Sequence, residues 1–311
     1  MINQRFRAVR FWLLAGLLAV LSPLVSAQQI YTPPPPEPWD GTSRYTVLVM
    51  GMDRRPSEFN LLSSRSDVLI LVSYDPATGG IGLFHIPRDL HLPLPDSGVF
   101  ARVNTLSQVG EQRAAGYGPY YTMEVLSRNL GIQIDAFLLF DFTAFITLID
   151  SMGGIMMDIP YSISDPTYPD MNFGYDPFFI QRGWQVLDGR TALKYARTRH
   201  GDNDYLRGQR QMAVMQAVFE RLREPNVLQN MLLQAPVLVT QLRNNVVTNV
   251  PFEQLTFLGL VALDMGASIR TGGFNESNTR TMTLGGGRVR VPRVELIPSA
   301  LSEAFGDVYW N

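Results

Sequence analysis

Carboxylates and guanidinium groups recur in three short segments, Gly51-Met52-Asp53, Arg65-Ser66-Asp67 and Pro87-Arg88-Asp89. They recur again in a basic run that holds Arg197, Arg199, Arg207 and Arg210 and ends on Gln211. At the chain's average arginine content a window as short as 197–210 holds about one, so four is a local excess that calls for an anionic partner. Arg207 and Arg210 stand three apart at the start of a predicted helix, which turns them the same way, and planar guanidinium forks grip phosphate oxygens in pairs. Each feature alone has a plainer account. Arg65-Ser66-Asp67 reads as a capping turn with a surface ion pair, Asp53 as a turn residue, and the arginine run as a solvated helix face.

The elements that must position these residues follow from hydropathy patterning. Residues 45–51, 68–74 and 81–86 are strand-like, and Pro76-Ala77-Thr78-Gly79-Gly80 is a turn that makes the last two an antiparallel hairpin. If the first strand also pairs antiparallel with the second, then its end, the start of the second and the end of the third share one sheet edge. Asp53, Arg65, Asp67, Arg88 and Asp89 would meet there although up to 36 residues separate them. Ligands of α/β proteins are usually held at such an edge. Further along, a helix over 120–130 closed by Gly131, a strand over 136–140, a helix over 143–152 closed by Gly153-Gly154 and a strand over 155–159 predict an α/β fold. Its central sheet is mixed, contains the antiparallel hairpin and carries helices on both faces. The stretch 161–182 has no periodicity and is long enough to be functional or mobile. Helices follow over 188–198, with Asp188 as N-cap, and 206–223, then apolar helical segments over 227–239 and 252–263. From residue 268 onward the sequence is strand-like and glycine-rich, without a placement. His85, inside a strand, reads as a core residue.

Composition narrows the chemistry. The chain of 311 residues is 46% hydrophobic, enough for a full core, and it has no cysteine, which excludes a thiol nucleophile, a disulfide framework and a thiolate metal site. The three histidines, His85, His91 and His200, are too widely spaced for a histidine-rich zinc site. A formal net charge of −2 gives no global field for nucleic acid. Lys194 is the single lysine among 26 basic residues, so arginine identity carries weight only where arginines cluster. Arg5, Arg7 and Arg10, the apolar run 11–25 and Val25-Ser26-Ala27 predict a signal peptide or membrane anchor over 1–27, hence export with the membrane at the N-terminus. A proline-rich spacer over 28–43 follows, then a domain over 44–245 and a C-terminal segment over 246–311 that packs partly on it.

Taken together the motifs resemble the LytR-CpsA-Psr family. Their order is strand, Gly-x-Asp, Arg-Ser-Asp, hairpin, Pro-Arg-Asp, Val103-Asn104, Gly153-Gly154, then Leu187-Asp-Gly-x-x-Ala-Leu-Lys-Tyr-Ala-Arg-x-Arg and Asp-x-Asp-x-x-Arg-x-x-Arg-Gln. The resemblance covers about 45–222. It implies a magnesium-dependent phosphotransferase, outside the cytoplasm, that moves a glycan from a polyprenyl pyrophosphate carrier to a peptidoglycan hydroxyl. It makes Asp53 and Asp67 magnesium ligands. It makes Arg65, Arg88, Arg197, Arg199, Arg207 and Arg210 a pyrophosphate clamp with Gln211 beside it. Asp89 becomes either the partner of Arg88 or a general base. A lipid tail needs an apolar pocket, with Phe137, Leu139, Val214, Met215, Val218 and Phe219 as candidate lining. Two other readings stay open: a hydrolase of the same pyrophosphate, and a non-catalytic envelope sensor or attenuator.

Overall fold

A computed structural model describes residues 30–34, 39–54, 60–170, 174–198, 204–251, 254 and 268–306. The predicted segment 1–27, Arg199 and, apart from residue 254, the predicted helix over 252–263 lie outside them. The described chain opens with β1 (Tyr45–Asp53), β2 (Arg65–Asp75) and β3 (Gly80–His85), then the short β4 (His91–Pro93) and β5 (Phe100–Arg102) and the helices α1 (Leu106–Arg113) and α2 (Gly118–Leu130). β6 (Ala136–Asp141) leads into α3 (Phe142–Ser151). β7 (Ile155–Ile159), β8 (Ile163–Asp165), β9 (Phe178–Ile180) and β10 (Gly183–Leu187) precede α4 (Gly189–Arg197). Two long helices, α5 (Asp204–Leu222) and α6 (Pro225–Leu242), return the chain to β11 (Val246–Thr248). The remainder forms β12 (Ile269–Gly273), β13 (Thr279–Leu284), β14 (Gly287–Pro292) and α7 (Ile297–Phe305).

Six strands make a mixed sheet in the order β11-β6-β1-β2-β3-β12. β2 pairs antiparallel with β3, as the turn between them predicts, β1 pairs antiparallel with β2, the condition under which the motif segments share an edge, and β6 runs parallel to β1. Side chains alternate across a strand, so each central strand feeds two cores. On one face Leu48, Met50, Leu69, Leu71, Phe84, Phe137 and Leu139 pack against Leu106 of α1, Val125 and Leu126 of α2, and Leu301 and Phe305 of α7. Each such fully buried side chain contributes about 1.5–3 kcal/mol. On the other face Val47 and Val49 form one group with Leu138 and Phe140, and Ile70, Ile81 and Leu83 form a second with Met212, Met215 and Phe219 of α5.

This alternation corrects the expected lipid lining. Phe137 and Leu139 point into the core that α2 and α7 close, whereas Leu138 and Phe140 face the α5 side. Val214 and Val218 turn into a separate cluster with α3, α4 and β7. Of the six, Met215 and Phe219 alone lie against the sheet face under α5.

The segment left unplaced by pattern is part of the sheet. β12 pairs parallel with β3, and α7 lies flat on both strands because they present glycine there. A Cβ at Gly82 would come within 2.4 Å of the Phe305 ring and one at Gly272 within 3.0 Å of Ala304. Part of the expected spacer also docks on the domain: Tyr31 donates its N–H to the Ala115 carbonyl, and its ring lies 4.4 Å from that of Tyr117. No helix among the described residues is long and apolar enough to cross a membrane.

Candidate active site

The edge where β1 ends and β2 begins is irregular. Gly51 pairs with Val68 but Met52 pairs with Ser66, so Asp67 is an extra residue bulged out of the ladder. A bulge re-aims a side chain and ends pairing locally. One step on, Asp53 stands opposite Arg65. Arg88, just past the end of β3, forms an ion pair with Asp67. The antiparallel order thus brings the three motif segments to one place.

Arg197, at the C-terminal end of α4, ties these groups together. Its Nη2 lies 3.4 Å from Asp53 and its Nε 3.5 Å from Asp67, while Nη1 donates to the Tyr168 hydroxyl at 3.2 Å. The guanidinium also sits 4.0 Å over the Phe142 ring. Burial works against the charge on Arg197, but Tyr168, Asp67 and Asp53 outweigh it and its pKa is raised above the ordinary arginine value. Burial likewise pushes the Tyr168 hydroxyl up, so it stays neutral and accepts from the guanidinium. Around this node opens a cavity of about 480 Å³ lined by Asp53, Arg65, Asp67, Arg88, Arg102, Asn104, Asp165, Tyr168 and Arg197, among others. Four guanidinium groups therefore face three carboxylates. Arg65 and Arg102 have no ion-pair partner among the described residues, which leaves their forks available to an anionic ligand.

The remaining predicted residues sit elsewhere. Arg207 and Arg210 are each 4% exposed and line no part of this cavity. Arg210 donates to the backbone carbonyls of Tyr195 and Thr198, which fastens α5 to the end of α4. Gln211 performs a similar task nearer the site, reaching the carbonyls of Asp67 at 3.4 Å and Ala196 at 3.5 Å. Asp89 is outside the cavity, 3.5 Å from Arg290, and it is Asp67 that holds Arg88. His85 is buried, with α5 pressed against its ring through Gly208.

Residue patterning did not single out Asp165, Tyr168 or Thr198. Asp165 is buried, accepts from the Thr198 hydroxyl at 2.6 Å and from the Thr167 N–H at 3.2 Å, and so joins the loop after β8 to the end of α4. The one signal for this loop was its length. Asn104 is buried, and its Oδ1 has no hydrogen-bond partner among the described residues.

The donor set suits a hard divalent cation of limited appetite. Asp53 and Asp67 face adjacent nitrogens of one fork at 3.4 and 3.5 Å, longer than the ~2.7–2.9 Å of a closed charge-assisted hydrogen bond. No group of three or more His, Asp or Glu side chains placed to hold a metal occurs among the described residues. A cation here would take two carboxylates and draw its other ligands from substrate and water, a set that magnesium accepts and calcium or zinc sites exceed.

Comparison with known proteins places the chain among relatives. The polyisoprenyl-teichoic acid–peptidoglycan teichoic acid transferase TagT of Bacillus subtilis (strain 168) is 29% identical over 183 residues, 58% of this chain and 53% of that protein. Regulatory protein MsrR of Staphylococcus aureus (strain COL) is 27% identical over 226 residues, 72% of this chain and 62% of that one. The chain spans roughly half the length of the curated relatives it matches. Among solved structures, YwtF (TagT) with bound octaprenyl pyrophosphate lipid superposes with a TM-score of 0.61 at 19% identity, covering 91% of this chain and 98% of that one, a likeness of fold. The LytR_cpsA_psr family profile matches residues 26–285, which takes in every motif segment from Asp53 to Gln211, and this protein belongs to that family.

Proposed function

We propose that this chain is a phosphotransferase of the cell envelope that takes a glycopolymer from a polyprenyl pyrophosphate carrier and joins it through phosphate to a peptidoglycan sugar hydroxyl. The observation that carries the reading is the cavity in which Arg65, Arg88, Arg102 and Arg197 surround Asp53 and Asp67. Phosphoryl transfer needs positioning and charge neutralisation more than covalent help from the protein. Arg65 and Arg102 would bind phosphate oxygens directly. Arg88 and Arg197, already paired to the carboxylates, hold those carboxylates where a magnesium ion would bind. When bound, the cation neutralises charge that builds on the phosphoryl group. The sugar hydroxyl oxygen attacks the glycan-bearing phosphorus and gives its proton to solvent, the bridging P–O bond to the lipid phosphate breaks, and polyprenyl monophosphate leaves. Names of relatives support the class: TagT is a polyisoprenyl-teichoic acid–peptidoglycan transferase, and YwtF (TagT) holds an octaprenyl pyrophosphate.

Partly buried apolar side chains support a route for the lipid on the α5 side of the sheet. Val68, Val72, Leu138 and Phe140 are only partly buried there, between the cluster around Val47 and Val49 and the one under Met212. An apolar tail lying in that interval would cover them and leave its pyrophosphate at the β1 and β2 edge. The predicted leader or anchor over 1–27 would bring the domain to the outer side of the membrane, where donor and acceptor both reside.

The test is release of polyprenyl monophosphate from a lipid-pyrophosphate glycan, measured with peptidoglycan oligomers present. Release that needs magnesium and stops on chelation is the expected result. Release that continues undiminished in chelator and in Asp67→Asn would show the carboxylates to be structural.

A further inference from the structure

Arg290 belongs to the C-terminal hairpin of β13 and β14, beyond the segments that carry the motifs, yet it reaches two of them. Its Nη1 lies 3.5 Å from the Asp89 carboxylate, and its guanidinium stacks 4.2 Å over the ring of Tyr205 in the first turn of α5. Tyr205 is 9% exposed, and its hydroxyl meets the Thr279 hydroxyl of β13 at 2.6 Å. The backbone repeats the contact, since Leu90, next to Asp89, bridges to Arg290 itself. The hairpin therefore grips the loop that carries Arg88 and the helix that carries Gln211. Both of those residues reach Asp67, one through its carboxylate and the other through its carbonyl.

We infer that Arg290 is a positioning residue for the anion site, acting through Asp89 to hold the Arg88 loop in register with α5. This rests on the proposed pyrophosphate reading and deepens it. A solvated arginine has no need of a carboxylate on one side and an aromatic face on the other. Arg288, two residues away on the same strand, is exposed and has no ion-pair partner among the described residues, and so serves as an internal control.

The test is titration calorimetry of inorganic pyrophosphate with magnesium into the full-length chain, which reads the site without requiring turnover. Arg290→Ala is expected to weaken binding about tenfold, the usual scale for losing an outer partner of a ligand-holding group. Arg290→Lys, which keeps a cation within reach of Asp89, should recover most of it, and Arg288→Ala should bind as wild type does. Asp89→Asn should weaken binding like Arg290→Ala, and the double variant should be no worse than the weaker single one, because both changes break one link. Unchanged binding in Arg290→Ala, or additive losses in the double variant, overturns the inference while leaving the site intact. Wild-type protein that binds no pyrophosphate overturns the site reading and the inference with it.

Discussion

Asp67 owes its place to one extra residue in β2, and two arginines and a glutamine then converge on it. Asp67→Asn keeps the shape and removes the charge, so the fold should persist while transfer falls about 100-fold or more, the range seen when a transition-state charge loses a fixed partner. Rates on variants with matched melting temperatures check this. Arg210 is different in kind. It is buried and donates to two backbone carbonyls, so Arg210→Ala strands both acceptors at about 1–3 kcal/mol each. Thermal melting should show a loss of several degrees, and any loss of binding should follow from it. The arginine cluster was visible in the sequence, but its division of labour was not. Helical spacing puts Arg207 and Arg210 on one face without saying whether that face meets solvent, ligand or the end of another helix.

Helix α5 stands at a set distance from β3 because Gly208 has no side chain. A Cβ there would come within 2.4 Å of the His85 ring. In Gly208→Ala the gain in helix propensity, about 1 kcal/mol, opposes an overpacking cost of about 1–3 kcal/mol. Little or no gain in stability is therefore expected, together with a loss of pyrophosphate affinity as α5 shifts and carries Gln211 away from Asp67. Calorimetry beside a melting curve separates the two effects. Strands with turn signals at their ends were legible: β7 spans the predicted 155–159, and Asp188 caps α4 by accepting from Thr191. The facing of β6 was not. A central strand is apolar on both sides, so hydropathy cannot tell Phe137 and Leu139 from Leu138 and Phe140, and only the packing of α2 against one side decides. The loop with Asp165 and Tyr168 gave no periodicity to read.

For the molecule as a whole, the sheet is completed from the far end of the chain. β12 is stable as an edge strand because β3 pairs with it and α7 covers its Gly272, neither of which a glycine-rich sequence announces. Tyrosines set the alkaline limit of this assembly. Burial, helped by Asp135, pushes the Tyr45 hydroxyl up to about 12, and burial raises Tyr168 and Tyr205 as well. Folding favours the neutral hydroxyls, so their contribution is fully present below the unfolded value of about 10 and is lost as pH rises toward the folded one. Nearly all the basic residues are arginine and keep their charge there, so melting temperature should fall between about pH 10 and 12 in step with tyrosinate absorbance. The proposed activity of the whole molecule is transfer through phosphate. The direct measurement is mass spectrometry of peptidoglycan oligomers after incubation with purified protein, magnesium and a polyprenyl-pyrophosphate glycan. A glycan joined to the oligomer by a phosphodiester, and absent with Asp67→Asn, is the predicted result. Free glycan phosphate with unmodified oligomers would make the protein a hydrolase, and an untouched donor would contradict an enzymatic account altogether.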